Sequence, residues 1–196
     1  MPLLKHISLR PGLALGWALV LMVLLTPVRG RADEAAGELA YKVKAGYLFN
    51  FARFVEWPDR GTNAAATFRI GIVDDGEAFA VMSAQLAGKQ VQGRTVETRH
   101  LKPGDDLRAC DIVFVARSQA RHLEDMRQKL GDAPVLTVGE SERFAEQGGC
   151  IDFVQQGEHI RFEVNLEAAE RARLKISSKI AAMATIVHAP KAKEVP

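Results

Sequence analysis

The chain has 196 residues, 47% of them hydrophobic, with 26 Lys and Arg against 24 Asp and Glu and a formal net charge of +2. That length suits one domain around one core. The balanced charge, with no concentrated basic run, argues against a nucleic-acid binder.

The first 32 residues read as an export signal. Lys5, His6 and Arg10 make a positive start, Leu13 to Leu25 is an apolar run, and Thr26-Pro27 breaks it. Gly30-Arg31-Ala32 then places small residues at the two positions a signal peptidase reads. The apolar run is shorter than the roughly 20 residues a membrane span needs, so cleavage near Ala32 is expected. The segment carries Lys5, Arg10, Arg29 and Arg31 and no acidic residue, so 26 basic residues become 22 against 24 acidic ones. The mature chain is therefore slightly acidic.

Residues 33–38 are expected to form a flexible mature terminus, and a helix is predicted from residue 39 to Trp57. At 100° per residue, Val43, Tyr47, Leu48, Phe51, Phe54 and Val55 share one face, the ordinary pattern of a core helix. Phe49 falls on the opposite face with Arg53 and Glu56, and Trp57 closes the segment before the helix-stopping Pro58. This second set needs another surface, from this chain or from a partner. Asn50, at the edge of the apolar stripe, is expected to make a buried hydrogen bond.

After a loop at 59–67, Phe68 to Val73 alternates as a strand, and Asp75-Gly76 turns into a helix ending near Leu86. Asp74-Asp75 at a strand end is the arrangement that holds a divalent cation in receiver domains. The later central strand ends Val115-Ala116-Arg117 without an acceptor aspartate, so a turn with Asp75 as helix cap is predicted instead. Arg94 to Leu101 reads as a strand, 111–116 as a buried strand, 118–130 as a polar helix and Val135 to Val138 as another strand. Ser141 opens a short helix through Gln147, and 150–155 with 159–165 flank Gln156-Gly157-Glu158 as a hairpin. Asn165 is placed to cap a short helix ending near Ala172. Leu174 and Ile176 then alternate, and Ser177 or Ser178 caps a final apolar helix.

Strands alternating with helices, followed by a hairpin, predict an α/β fold. It is a single three-layer domain over 39–188 with a mainly parallel sheet, a late β-hairpin, an N-terminal aromatic helix and a flexible tail at 189–196. Cys110 and Cys150 each precede a strand-like run, and in an oxidising compartment they pair if their Cα atoms lie within about 7 Å. A disulfide and two buried thiols are both open readings. Dinucleotide, phosphate-loop and nucleophile-elbow spacings are missing, and His100, His122, His159 and His188 lack metal-ligand spacing. Neither cofactor, metal nor catalytic set is expected, and the chain does not read as an enzyme.

The block Val43-Lys-Ala-Gly-Tyr-Leu-Phe-Asn-Phe-Ala-Arg-Phe-Val-Glu-Trp-Pro58 resembles the N-terminal signature of YfiR-type periplasmic proteins. Gly88-Lys-Gln-Val-Gln-Gly-Arg94, Pro134-Val-Leu-Thr-Val138 and Gly148-Gly-Cys-Ile-Asp-Phe-Val154 follow in order. Ile160-Arg-Phe-Glu-Val-Asn-Leu166 through Leu174-Lys-Ile-Ser-Ser-Lys179 completes the likeness. Two features depart from it: Arg173 stands where a helix-ending glycine is usual, and the set of cysteines is smaller than in members with two disulfides. The resemblance implies a periplasmic repressor that binds the periplasmic sensory domain of an inner-membrane diguanylate cyclase and lowers cyclic-di-GMP signalling and biofilm formation. It also implies release by an outer-membrane lipoprotein, and a homodimer is expected. Under that reading Phe49, Arg53 and Trp57 are the candidate partner-binding residues. The alternative is a small-metabolite sensor with its ligand near Arg53, Lys175 and Ser177.

Overall fold

The computed structural model describes residues 29–58 and 67–189, with side chains from residue 34 onward. The expected signal segment up to residue 28 and the tail from residue 190 lie outside the described residues. The chain divides into two units at Ala36/Gly37, and the second carries all the packing described below.

Helix α1 (Arg29–Phe54) leads into the short strand β1 (Val55–Glu56). Then come β2 (Thr67–Val73), α2 (Glu77–Leu86), β3 (Gln90–Val91), β4 (Arg94–Leu101) and β5 (Ile112–Val115). A 3-10 turn (Arg117–His122) precedes α3 (Leu123–Leu130), and β6 (Leu136–Gly139) follows. The hairpin is β7 (Ile151–Gln156) and β8 (His159–Val164); α4 (Leu166–Arg171), β9 (Lys175–Ile176), α5 (Ser178–Ala181) and β10 (Thr185–Ile186) close the described chain.

The large sheet has the order β10-β8-β7-β6-β5-β2-β4-β3. Strands β4, β2, β5, β6 and β7 run parallel, and β8 returns antiparallel on β7 with Phe153 opposite Phe162. That central order is the doubly-wound 2-1-3-4-5 arrangement, whose chain reverses direction across the sheet between β2 and β5. The predicted α/β domain, parallel sheet and late hairpin are all present.

Burial on both faces explains the uninterrupted apolar run of β5. Ile112 and Phe114 join Leu48, Phe51, Ile70, Ile72 and Val138 in one cluster under α1 and α2. Val113 and Val115 join Leu107, Met126, Leu130 and Phe144 in a second cluster under α3.

The aromatic helix differs from its sequence reading in four respects. It takes in residues 33–38, where helix-forming Ala35, Ala36 and Glu38 stand and Glu38 pairs with Lys42 one turn on at 2.5 Å. It stops at Phe54, because Val55 and Glu56 pair antiparallel with Ile176 and Lys175. Val43 is 42% exposed, and the buried face is Ala45, Leu48, Phe51, Ala52 and Val55. Asn50 faces solvent rather than a buried partner.

Three later segments also differ. Asp74, not Asp75, serves the start of α2, its Oδ2 accepting from the backbone of Gly76 at 2.9 Å and Phe79 at 3.0 Å. Residues 142–148 form turns rather than a helix. The final apolar helix is only α5, after which β10 pairs in parallel with β8. Asn165 caps α4 as predicted: its Oδ1 accepts from Ala168 N at 2.9 Å and its amide donates to Ala145 O at 2.8 Å.

The disulfide reading falls. Both cysteines are free and buried, Cys110 in the cluster under α3 and Cys150 in the cluster under α1. Cys150 N is bonded to Thr137 Oγ1 on β6, level with Val113 of β5. Two strand spacings, about 9–10 Å, therefore separate it from the line of β5, beyond disulfide reach. Burial pushes the Cys110 thiol up to about 11 and the Cys150 thiol up as well. Neither is a thiolate at neutral pH, and the thiolate is the reactive form.

Phe144 shows how the turn at 141–149 is held. Its ring is fully buried between two glycines: a Cβ on Gly139 would lie 2.3 Å from it and one on Gly149 2.1 Å. Gly149→Ala is therefore expected to destabilise the fold by about 1–3 kcal/mol through overpacking. A urea denaturation midpoint equal to that of the unaltered chain would contradict this packing.

Candidate functional site

In open α/β sheets the usual ligand crevice lies beyond the carboxyl ends of the strands, at the point where the strand order reverses. Here α1 lies across that edge. Gly37 sits beside Glu77 at the start of α2, and a Cβ there would be 3.2 Å from Glu77 Oε1. Further along the helix, Lys44 forms an ion pair with Glu140, the residue after β6, and Tyr41 donates to the same carboxylate at 3.3 Å. Arg117 N, just past β5, also donates to Glu140 Oε1 at 3.0 Å. Burial, then Glu140, Glu77 and Asp74, push the Tyr41 phenol far above its ordinary value.

The other groups at this edge are likewise engaged. His100 Nε2 lies 2.9 Å from Asp74 Oδ1, with its ring stacked on Phe79, and Gln119 donates to Asp75 at 2.6 Å. The carboxylates that tempted a cation reading are thus bound to the helix start, a histidine and an amide. No group of three His, Cys, Asp or Glu is arranged to hold a metal among the described residues. The crevice is filled by α1 itself, and the surface presented there is the outer side of that helix.

That outer side carries Leu39, 63% exposed, and Val43, with Gly46, Asn50 and Arg53 continuing the stripe at helical spacing. A Cβ on Gly46 would meet nothing within 4 Å. Among the residues expected to contact a partner, Arg53 is exposed and its guanidinium lies 5.4 Å from the Phe54 ring. Phe49 is half-buried, with Lys89 Nζ 4.9 Å over its ring.

Trp57 is also half-buried, and its indole is committed within the chain. It donates to Asp111 O at 3.3 Å and meets Phe68 edge-on at 5.2 Å. Arg94 covers the same Phe68 at 5.0 Å and grips the Asp111 carboxylate with both terminal nitrogens, at 2.9 and 3.3 Å. Arg69 N donates to that carboxylate at 2.8 Å. Trp57 and Arg94 thus close the amino-terminal end of the sheet, opposite the edge crossed by α1.

The residues expected to hold a metabolite are brought near one another by the β1–β9 ladder. Lys175 is opposite Glu56 and pairs with it at 3.4 Å, and Ser177 N bonds Phe54 O, next to Arg53. The Ser177 hydroxyl is enclosed without a partner rather than presented to solvent. Lys179, whose Nζ lies 5.3 Å from the Phe54 ring, is the cation that joins Arg53 there.

A family model described as YfiR/HmsC-like matches residues 41–185. The chain belongs to the YfiR/HmsC-like family. The family is one of periplasmic regulators linked to diguanylate cyclase signalling. No curated protein matches the chain. Among solved structures, a conserved domain protein from Vibrio cholerae O1 biovar El Tor is similar at 17% identity with a TM-score of 0.47. The match covers 60% of this chain and 54% of that one. The ABC domain in complex with L-Trp from Streptococcus pneumonia is similar at 11% identity, TM-score 0.47, over 62% and 55% of the two chains. The chain spans little more than half the length of either protein.

The blocks that resemble YfiR-type proteins have physical explanations in this fold. Trp57 and Arg94 meet at Asp111. In Gly148-Gly-Cys-Ile-Asp, Gly148 has φ 100°, Gly149 admits Phe144, and Asp152 Oδ2 accepts from Phe144 N at 2.9 Å. Arg173 holds φ 57°, a conformation that costs a side-chain-bearing residue about 1–2 kcal/mol. Sequence reasoning missed Lys44, Arg94, Asp111, Glu140 and Asp152. For four of them the signal available was a charged residue at or near the end of an apolar strand, and Lys44 lies mid-helix. That signal cannot say which charge faces which.

Proposed function

We propose that this YfiR/HmsC-like protein acts in the periplasm by binding the periplasmic sensory domain of an inner-membrane diguanylate cyclase and holding it inactive. Inhibition by binding needs only greater affinity for the inactive state of the partner than for its active one. The observation that carries this reading is the outer stripe of α1. Leu39 and Val43 are exposed apolar residues, and Gly46 sits mid-helix where its own fold has room for a side chain. A glycine inside a helix costs roughly 0.5–1 kcal/mol relative to alanine, and here it leaves a gap into which a partner's backbone can approach. Arg53 at the end of the stripe and the open edge of Phe49 extend the contact, whereas Trp57 contributes by fixing the end of β1. An outer-membrane lipoprotein that takes the same stripe, or a second copy of the chain, would compete with the cyclase.

Two substitutions test this. Gly46→Ala is expected to raise the stability of the isolated protein by about 0.5–1 kcal/mol while weakening repression. Val43→Glu is expected to leave stability within about 0.5 kcal/mol, as for other surface changes, and to abolish repression. The measurements are urea denaturation and cellular cyclic-di-GMP in a strain lacking its own copy. If both variants lower cyclic-di-GMP as fully as the unaltered chain, the outer stripe of α1 is not the contact.

A further inference from the structure

On the sheet face under α3, between that helix and α4, lies a cavity of about 250 Å³. Val115, Met126, Leu130, Val135 and Phe144 line it, none more than 6% exposed. Native interiors hold few voids larger than a water molecule. Its wall is mixed, with Gln128, Asp132 and Thr137 beside the apolar side chains, so it suits a guest that is part apolar and part polar. A cavity of roughly 150 Å³ takes benzene with its six carbons, so this one has room for about ten non-hydrogen atoms.

The mouth adds charge. Arg127 lays its stem across Gly148, where a Cβ would lie 3.1 Å from Arg127 Cδ, and its guanidinium is bound to Glu124 at 2.8 Å. Arg171, the last residue of α4, also lines the cavity, is exposed, and its side chain has no hydrogen bond or ion pair among the described residues. Asp132 is the other acidic group at the mouth, and Arg173 donates to its backbone oxygen at 3.3 Å.

We infer that this cavity binds a small monocarboxylate with an apolar body, about ten non-hydrogen atoms in all, seated among Val115, Met126 and Phe144 with its carboxylate at Arg171. The site is separate from the α1 stripe, none of whose residues borders the cavity, so it stands or falls independently of the cyclase reading.

Octanoate is the probe, with 1-octanol as the uncharged control and acetate as the headgroup control. Calorimetry on the purified full-length chain is expected to show one saturable octanoate site at millimolar concentration or below, with acetate giving no heat. Arg171→Gln is expected to weaken octanoate at least tenfold and leave octanol unchanged. Ala172→Leu, or Leu130→Phe if the first variant loses its native circular dichroism, is expected to fill the cavity and abolish binding of both. Failure of octanoate to saturate, equal binding of acetate, equal loss of octanol in Arg171→Gln, or full octanoate binding by the folded filled variant would each overturn the assignment.

Discussion

Asp111→Ala is expected to cost about 3–5 kcal/mol, the usual penalty for removing one partner of a buried ion pair. The Asp111 side chain is 1% exposed, and it accepts from both terminal nitrogens of Arg94 and from Arg69 N. Without it, the Arg94 guanidinium, 18% exposed, loses both bonds to this carboxylate, and the Arg69 strand amide loses its acceptor. The same segment positions the backbone oxygen that receives Trp57 Nε1 and Leu136 N. The loss should therefore appear both as a lower urea midpoint and as a change in Trp57 fluorescence before unfolding. Glu97→Ala supplies the contrast. Its bonds to Arg99 and Arg69 are half-exposed at the sheet surface, and surface pairs are worth about 0–1 kcal/mol. If Asp111→Ala costs no more than Glu97→Ala, the buried pair does not hold this end of the sheet.

Stability is also expected to fall as pH rises from about 4 to about 7, because of Asp152. Burial, and after it the neighbouring Glu163, raise its carboxyl to about 7, while the bond from Phe144 N works in the other direction. Its Oδ1 is enclosed without a partner. In the unfolded chain the same carboxyl titrates near 3.9. Below that pH both states hold the proton and the contribution is complete. Above it the unfolded state sheds the proton first, so the folded state loses ground until the pH passes about 7. The whole effect is at most roughly 4 kcal/mol. Asp152→Asn should keep the bond from Phe144 N and remove the charge. Its urea midpoint is expected to exceed that of the unaltered chain at pH 8 and to converge with it near pH 4. A difference between the two proteins that does not change with pH would refute this account.

These two carboxylates also show what was hard to see in the chain. Asp111 and Asp152 each stand next to or within an apolar strand, and strand alternation alone does not say what a carboxylate there binds. Both are at most 2% exposed and accept from backbone amides outside their own strands, Asp111 from Arg69 and Asp152 from Phe144. The aromatic block shows the same division. Its helical period was legible, since Leu48, Phe51 and Val55 are core. The period did not show that Val43 faces solvent, because Lys44 is drawn to Glu140, 96 residues away. It also did not show that Val55 and Glu56 leave the helix to pair with β9.

From the sequence alone, the alternation of apolar runs with helical and turn segments determined the α/β class, the late hairpin and the Asn165 cap, because those signals lie within a few residues of one another. The ordered blocks carried the YfiR-type likeness. Only the tertiary structure decided that the cysteines stay apart, that Trp57 is bound inward, and that α1 fills the crevice and turns Leu39, Val43 and Gly46 outward. Each of these depends on contacts between residues far apart in the chain, and a local pattern carries no record of which distant surface will meet it.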